Sequence, residues 1–275
     1  MDRRLCFRVL VFVACLLTLV SIGRAEDSSK KRKAAARQMS KDLSRLDLHK
    51  VYVPDFVDIL GRRTAAGCYF GAAFSKLLAE NAKNFVVIGR IDVHRYLEKN
   101  GWSDTDLSKA DVMSKLVTEF SLGAVLSGVI SADRDSYTID FTVRDLSGKE
   151  SLRAQYQEKI DPVLSGNLPA ESEVAGHNIY FAGLDGITMP KCVRCTSPAF
   201  PDRKRANKVQ GTILLSVLIT AEGKTDHIYF LKKLDPDLDQ NAIDTVKSWR
   251  FEPAKDPHGS IVAVRVPVEV TYRLF

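Results

Sequence analysis

The sequence predicts an α+β fold made of two small domains, a mixed-sheet α/β domain followed by a domain of ββαβ order. A chain of 275 residues is long enough for two cores at roughly 150 residues per domain. Strand-like and helix-like apolar patterns alternate over residues 47–161 and again over 199–275. The stretch between them, 162–198, is rich in proline and glycine and has little periodicity, which predicts a linker.

The apolar pattern of residues 47–161 predicts the element order β-α-β-α-α-β-β-β. Strands are predicted at 51–56, 85–88, 123–130, 137–144 and 150–159, and helices at 64–83, 91–100 and 104–120. Asp104 or Thr105 is predicted to cap the last of these helices. The turn at Ser147-Gly148 joins the last two strands as a hairpin. Such an order predicts a mixed sheet covered by helices.

Residues 199–275 predict two strands, a helix and a final strand. Alternating apolar residues lead from Gly211 to the turn at 222–224, and a second strand follows. Asp235 or Pro236 begins a helix. Its core-facing residues share helical spacing: Leu238, Ala242, Ile243 and Val246. Trp249 and Phe251 are predicted core residues, and the last strand is predicted over 262–274.

Residues 1–25 have the layout of a secretory signal peptide. Arginines precede an apolar run at 9–22, and the small residues Gly23 and Ala25 stand before the expected cut. The run has about 14 residues, fewer than the roughly 20 that a membrane-spanning helix needs. We therefore expect export to the periplasm. The alternative is an inner-membrane anchor formed by residues 9–22.

Residues 26–46 form a polar leader that contains the basic run 30–33. We expect a solvated segment with nascent helix, and contact with an anionic membrane surface is the alternative. Removal of residues 1–25 takes away four arginines and one aspartate, which lowers the net charge from +6 to about +3. The overall charge therefore gives no argument for a nucleic-acid partner.

Three cysteines lie outside the signal: Cys68, Cys192 and Cys195. In an oxidising compartment the Cys-x-x-Cys pair predicts a local disulfide. A structural zinc site needs four ligands, which this pair would reach only by recruiting His177 and His258. We therefore predict neither a metal nor a cofactor.

The sequence predicts a protein that is not an enzyme. Cys68 lies on an apolar helix without a recognisable base, and a small buried residue is the simpler interpretation. The glycines at 67 and 71 are not followed by the Gly-Lys-Ser/Thr sequence of a phosphate loop. No pair of carboxylates has the arrangement of a catalytic acid and base.

The C-terminal segment resembles the TonB C-terminal domain family. The residues that carry the resemblance are Leu-Asp-x-x-Ala at 238–242 and Trp-Arg-Phe-x-Pro-Ala at 249–254, together with Gly223 and Gly259. In that family the domain binds the periplasmic face of outer-membrane transporters and relays energy from the inner membrane. The resemblance implies a protein partner in the cell envelope, such as an outer-membrane receptor, and a link to TonB-dependent transport. A globular domain stands where the family's energy transducers have a long Pro-rich spacer, so binding without energy coupling is also expected.

We expect partner binding at the last strand, where an extended peptide can add to the sheet edge by main-chain hydrogen bonds. The candidate edge residues are Val262, Val264, Val266, Val268, Val270 and Tyr272.

The middle segment is similar to the TolB N-terminal domain and the related curli-secretion component domain. The carrying residues are at 53–56, 85–90 and 122–128. This resemblance implies the alternative function, a structural or assembly component of an envelope or secretion complex. Under this alternative, further copies of the same chain are also expected as partners, in a homo-oligomer.

Overall fold

A computed structural model describes residues 22–145, 149–159 and 180–274 of the chain. Its helices are α1 (Ile22–Leu43), α2 (Ala65–Asn81), α3 (Arg90–Lys99), α4 (Ala110–Phe120), α5 (Asp202–Ala206) and α6 (Pro236–Lys247), with a 3₁₀ helix at Asp104–Ser108. Its strands are β1 (Lys50–Tyr52), β2 (Val57–Asp58), β3 (Val86–Val87), β4 (Ala124–Ala132), β5 (Ser136–Asp145), β6 (Glu150–Lys159), β7 (Tyr180–Phe181), β8 (Lys191–Arg194), β9 (Gly211–Ile219), β10 (Thr225–Lys232), β11 (Arg250–Glu252), β12 (Ala254–Lys255), β13 (Ile261–Val262) and β14 (Val264–Tyr272). The predicted α+β class is confirmed.

The first sheet has six strands in the order β3-β1-β4-β5-β6, with β2 also paired to β4. Strands β3, β1 and β4 are parallel, whereas β4, β5 and β6 are antiparallel, so the sheet is mixed as predicted. The helices pack on both faces. Phe74 of α2 meets the ring of Phe141 on one face, and Leu97 of α3 is buried with Leu116 of α4 in a separate cluster.

The helix α1 corrects the expectation of a solvated leader. It runs for 22 residues, and Ala36, Met39 and Leu43 are buried in the same core as α2. Arg32 adds a buried ion pair with Glu158 of β6. The sequence did not predict this packed helix, because three apolar residues among many charged ones give only a weak helical periodicity.

The second sheet has the strand order β10-β9-β14-β7. The helix α6 covers one face, and its residues Leu238, Ala242 and Val246 are fully buried, as their spacing predicts. Asp235 caps the helix by accepting from the backbone N–H groups of Asp237 and Leu238, and Pro236 occupies the first turn.

The turn between β9 and β10 depends on Gly223. Its φ of +73° lies in the left-handed region that favours glycine. A Cβ at this position would lie 1.9 Å from the carbonyl oxygen of Phe251, whose own N–H donates to Gly223 O at 2.8 Å. The turn is thereby held against the end of the Trp-Arg-Phe segment.

Two predictions at the N-terminal end fall largely outside the described residues: the signal peptide at 1–25 and the alternative inner-membrane anchor at 9–22. Of the predicted signal peptide, 1–25, only the last four residues are described, as the first turn of α1. Among the described residues, no helix combines the length and apolar character needed to cross a bilayer.

The helix cap predicted at Asp104 or Thr105 is wrong. Ser103 and Asp106 form a capping box for the 3₁₀ helix instead.

Candidate protein-binding site

The strand β14 lies at the centre of the C-terminal sheet over part of its length and at an edge over the rest. On one side it pairs with β9 without interruption, from Val264 opposite Ile219 to Tyr272 opposite Gly211. On the other side β7 pairs with it only at Val264 and Arg265. Among the described residues, nothing pairs with that side of β14 from Val266 onward.

Pro267 shows which backbone groups of β14 point toward its unpaired edge. The N–H of Tyr180 in β7 donates to the carbonyl of Ala263 at 3.2 Å, so the backbone groups of Ala263 point toward β7. Backbone groups alternate along a strand, and those of Pro267, Glu269 and Thr271 therefore point to the same side. Proline has no N–H and is tolerated in a sheet where that group would be unpaired. The open edge consequently presents the N–H groups of Glu269 and Thr271.

The predicted edge residues turn their side chains inward. Val264, Val266, Val268, Val270 and Tyr272 are all buried in the core beneath α6. Val262 belongs to β13 and pairs with Ala254, outside β14. Any recognition along this strand must therefore come from the backbone and from the opposite face, where Pro267 is exposed.

The short strand β7 attaches the first half of the molecule to this edge. Phe181 packs edge-on against Tyr69 of α2, with ring centroids 5.4 Å apart. Lys76 of α2 donates to the carbonyl of Gly183 at 3.4 Å. Because β7 covers only the start of the edge, the attachment leaves the remainder of β14 open.

A buried ionic cluster holds this attachment: Asp55, Arg63, Arg90, His94, Asp104 and Asp185. Arg90 is central because it pairs with Asp55, donates to Val53 O at 2.9 Å and reaches Asp185 through Nε at 3.1 Å. Asp185 lies four residues after the end of β7. The cluster therefore joins the loop after β1 to the segment that pairs with β14.

His94 and Asp104 extend the ionic cluster toward β7. Nε2 of His94 lies 3.3 Å from Oδ1 of Asp104, and its Nδ1 lies 3.3 Å from the hydroxyl of Tyr180. A small cavity lies beside His94, Arg90 and Tyr180. Its volume of about 10 Å³ is room for about one water molecule. It is too small for an organic substrate.

Neighbouring charges shift the pKa values of Asp55 and His94 in the cluster. Burial alone would raise the pKa of Asp55, but the guanidiniums of Arg90 and Arg63 outweigh burial and hold this pKa well below its usual value. Burial would likewise lower the pKa of His94, but the carboxylate of Asp104 outweighs it and raises this pKa. When His94 is protonated, the three aspartates of the cluster face two guanidiniums and one imidazolium.

We expect the stability of the protein to fall as pH rises through the neutral range because of His94. A histidine whose pKa is raised in the folded state contributes stability that is complete below its unfolded value of 6.5 and is lost as pH rises through the folded value. Urea unfolding across this range measures the effect. His94→Gln should flatten the pH dependence, whereas His227→Gln, at a more exposed histidine, should leave it unchanged. If the free energy of unfolding changed with pH equally in the unchanged protein and in both variants, the assignment of the effect to His94 would be contradicted.

The cysteines fall in two places. A disulfide joins Cys192 and Cys195 with an S–S distance of 1.99 Å, at β8, which pairs with β11 of the Trp-Arg-Phe segment. Cys68 is buried, and its Sγ lies 3.2 Å from Oδ2 of Asp55. Within the described part of the chain, no group of three or more His, Cys, Asp or Glu side chains has the arrangement of a metal site.

Sequence reasoning did not find the ionic cluster. Asp55 and Arg90 lie in the segments 53–56 and 85–90 that carry the resemblance to the TolB N-terminal domain, each three residues after the end of a short strand. That position, a charge at the end of a buried strand, is the signal that was available. It does not reveal the partners, because Arg90 lies 35 residues from Asp55 and 95 from Asp185.

The comparison with protein-family models bears on the C-terminal domain. The family model described as the C-terminal region of the Gram-negative bacterial TonB protein matches residues 196–274. None of the curated proteins compared with the chain matches it. The resemblance of the middle segment to the TolB N-terminal domain remains a prediction.

Several solved structures are similar to parts of the chain. The LpoB C-terminal domain from Salmonella enterica is 12% identical with a TM-score of 0.39, covering 49% of this chain and 99% of that one. Lipoprotein GNA1162 from Neisseria meningitidis is 18% identical with a TM-score of 0.32, covering 41% and 80%. The TonB C-terminal domain from Pseudomonas aeruginosa is 26% identical with a TM-score of 0.28, covering 32% and 87%. The sequence of residues 196–274 is therefore similar to the Gram-negative bacterial TonB protein C-terminal family.

Proposed function

We propose that this protein binds another envelope protein by adding an extended segment of that partner to the open edge of β14. The observation that carries the proposal is the unpaired side of β14 from Val266 to Tyr272, in a domain similar in sequence to the TonB C-terminal family. Main-chain pairing supplies affinity in this mode of recognition, and it does not require exposed side chains on the strand. That condition fits β14, whose core-facing residues are buried.

The other edge of the same sheet is less suited to a regular partner strand. The strand β10 has register shifts between Asp226 and Tyr229 and again between Phe230 and Lys232. Such irregularities bend a strand and interrupt the row of outward N–H and C=O groups. The open part of β14 has an uninterrupted register with β9, so its outward groups keep strand spacing.

The proposal concerns binding in the cell envelope, and the periplasm is the compartment that we propose. We further propose that the partner belongs to TonB-dependent transport. Capture of an outer-membrane transporter would support this more specific proposal. The ordered attachment of β7 supports a binding role, because it fixes the edge relative to the first half of the chain.

Two prolines at the outward positions test the edge directly. Glu269→Pro with Thr271→Pro removes both outward N–H groups and leaves the hydrogen bonds to β9 in place. Two lost main-chain hydrogen bonds predict roughly 30-fold weaker binding. The measurement is capture of partners from a detergent-solubilised envelope extract by the immobilised full chain.

The matched control is Glu269→Ala with Thr271→Ala, which removes the same side chains but keeps both N–H groups. We expect it to capture partners as the unchanged protein does. Equal capture by the proline and alanine variants, with both folded by circular dichroism, would refute pairing at this edge.

A further inference from the structure

The helix α1 sorts the basic residues of the leader onto two faces. Arg32 turns inward, where it pairs with Glu158 and donates to the hydroxyl of Tyr69 at 2.7 Å. Lys33, Arg37 and Lys41 are exposed and lie four residues apart. Residues at this spacing form one stripe along a helix, here about 12 Å long. We call these three residues the basic stripe.

The packing of α1 presents the basic stripe outward. Ala36, Met39, Ser40 and Leu43 are buried against the first core, and Ser40 donates to the carbonyl of Asn81 at 2.7 Å. These contacts fix the rotation of the helix about its axis. The stripe lies on an exposed flank of the helix, roughly 110° around the axis from the centre of the buried face, so the fold holds three cations in one row facing solvent.

Within the described part of the chain, no ion pair involves Lys33, Arg37 or Lys41. Asp42, the acidic residue nearest to Lys41 on this helix, instead accepts hydrogen bonds from Gln38 and Arg45. Like charges four residues apart destabilise a helix, and the stripe contains two such pairs. An anionic surface would relieve this repulsion.

The position of the helix indicates which anionic surface. The apolar run 9–22 leads directly into α1, which begins at Ile22. Lys33 follows that first residue by about 16 Å along the helix. In the form that keeps the apolar run, which is the anchor alternative for residues 9–22, a row of cations this close to it lies within reach of lipid headgroups, and basic residues near an anionic bilayer are attracted to it.

We propose that the basic stripe of α1 docks the protein on the surface of a membrane that contains anionic lipid. The docking orients the molecule, because α1 is packed rigidly against the first core through Arg32 and Met39. This interaction is separate from the edge of β14, which lies in the other sheet.

Vesicle binding of the full chain tests the proposal. Binding to phosphatidylcholine vesicles reports any contribution of the apolar run, and addition of phosphatidylglycerol reports the basic stripe. The variant Lys33→Gln, Arg37→Gln and Lys41→Gln should bind phosphatidylglycerol vesicles about 100-fold more weakly, since each basic residue near the surface contributes about fivefold. High salt should abolish the difference.

The matched control changes three exposed basic residues elsewhere: Lys99→Gln, Arg203→Gln and Lys224→Gln. It lowers the net charge equally and should bind as the unchanged protein does. An equal loss in both variants would reduce the effect to net charge and overturn the proposal. Unchanged binding of the stripe variant would also overturn it, as would equal binding to the two kinds of vesicle. Thermal unfolding of both variants checks that the fold is retained.

Discussion

Arg90→Met should destabilise the protein by about 3–5 kcal/mol, because it leaves buried carboxylates without a counter-ion. Arg90 is 3% exposed and pairs with both Asp55 and Asp185. Total stabilities of single domains are about 5–15 kcal/mol, so the loss removes a large share of the folding free energy. Urea denaturation at neutral pH measures it.

Arg62→Met is the control for this substitution. Arg62 also pairs with an aspartate, Asp58, but its side chain is 70% exposed. Exposed pairs contribute about 0–1 kcal/mol, and we expect a loss in that range. A loss of less than about 1 kcal/mol for Arg90→Met would show that the ionic cluster does not hold β7 in place.

Trp249→Ala should also cost about 3–5 kcal/mol, since it opens a cavity beneath the C-terminal sheet. Trp249 is fully buried, and its Nε1 donates to the carbonyl of Thr196 at 2.9 Å. The prediction separates two roles within the family motif. Its aromatic residues stabilise the domain, while partner binding is assigned to the backbone of β14.

Val193→Ala is the matched control for Trp249→Ala. Val193 lies nearby in β8 and is 72% exposed, so its loss should change the unfolding free energy by less than about 0.5 kcal/mol. If Trp249→Ala proved as mild in urea unfolding, the indole would not be a core residue.

The sequence predicted the C-terminal sheet well because its signals are local. The spacing of Leu238, Ala242 and Val246 predicted α6, and the glycine at 223 predicted the turn before β10. The boundaries were less accurate where pairing decides them. The predicted last strand is divided into β13 and β14, because Val262 pairs with β12 whereas Val264 pairs with β9.

Long-range contacts account for what the sequence did not predict. The helix α1 depends on burial of Ala36 and Met39 beneath α2 and on the pair between Arg32 and Glu158, 126 residues apart. The open edge of β14 was predicted from the family resemblance, although Pro267 in the middle of the strand gave a physical reason for it. The strand β7 lies in residues 162–198, for which the sequence predicts a linker.

Amide hydrogen exchange of the full chain, with and without its captured partner, tests the central claim most directly. Exchange at the N–H groups of Glu269 and Thr271 reports whether a strand adds to the open edge. We predict that both amides become protected in the complex, while those of β10 remain unchanged. Protection confined to β10, or no added protection along β14, would contradict the assignment of this edge.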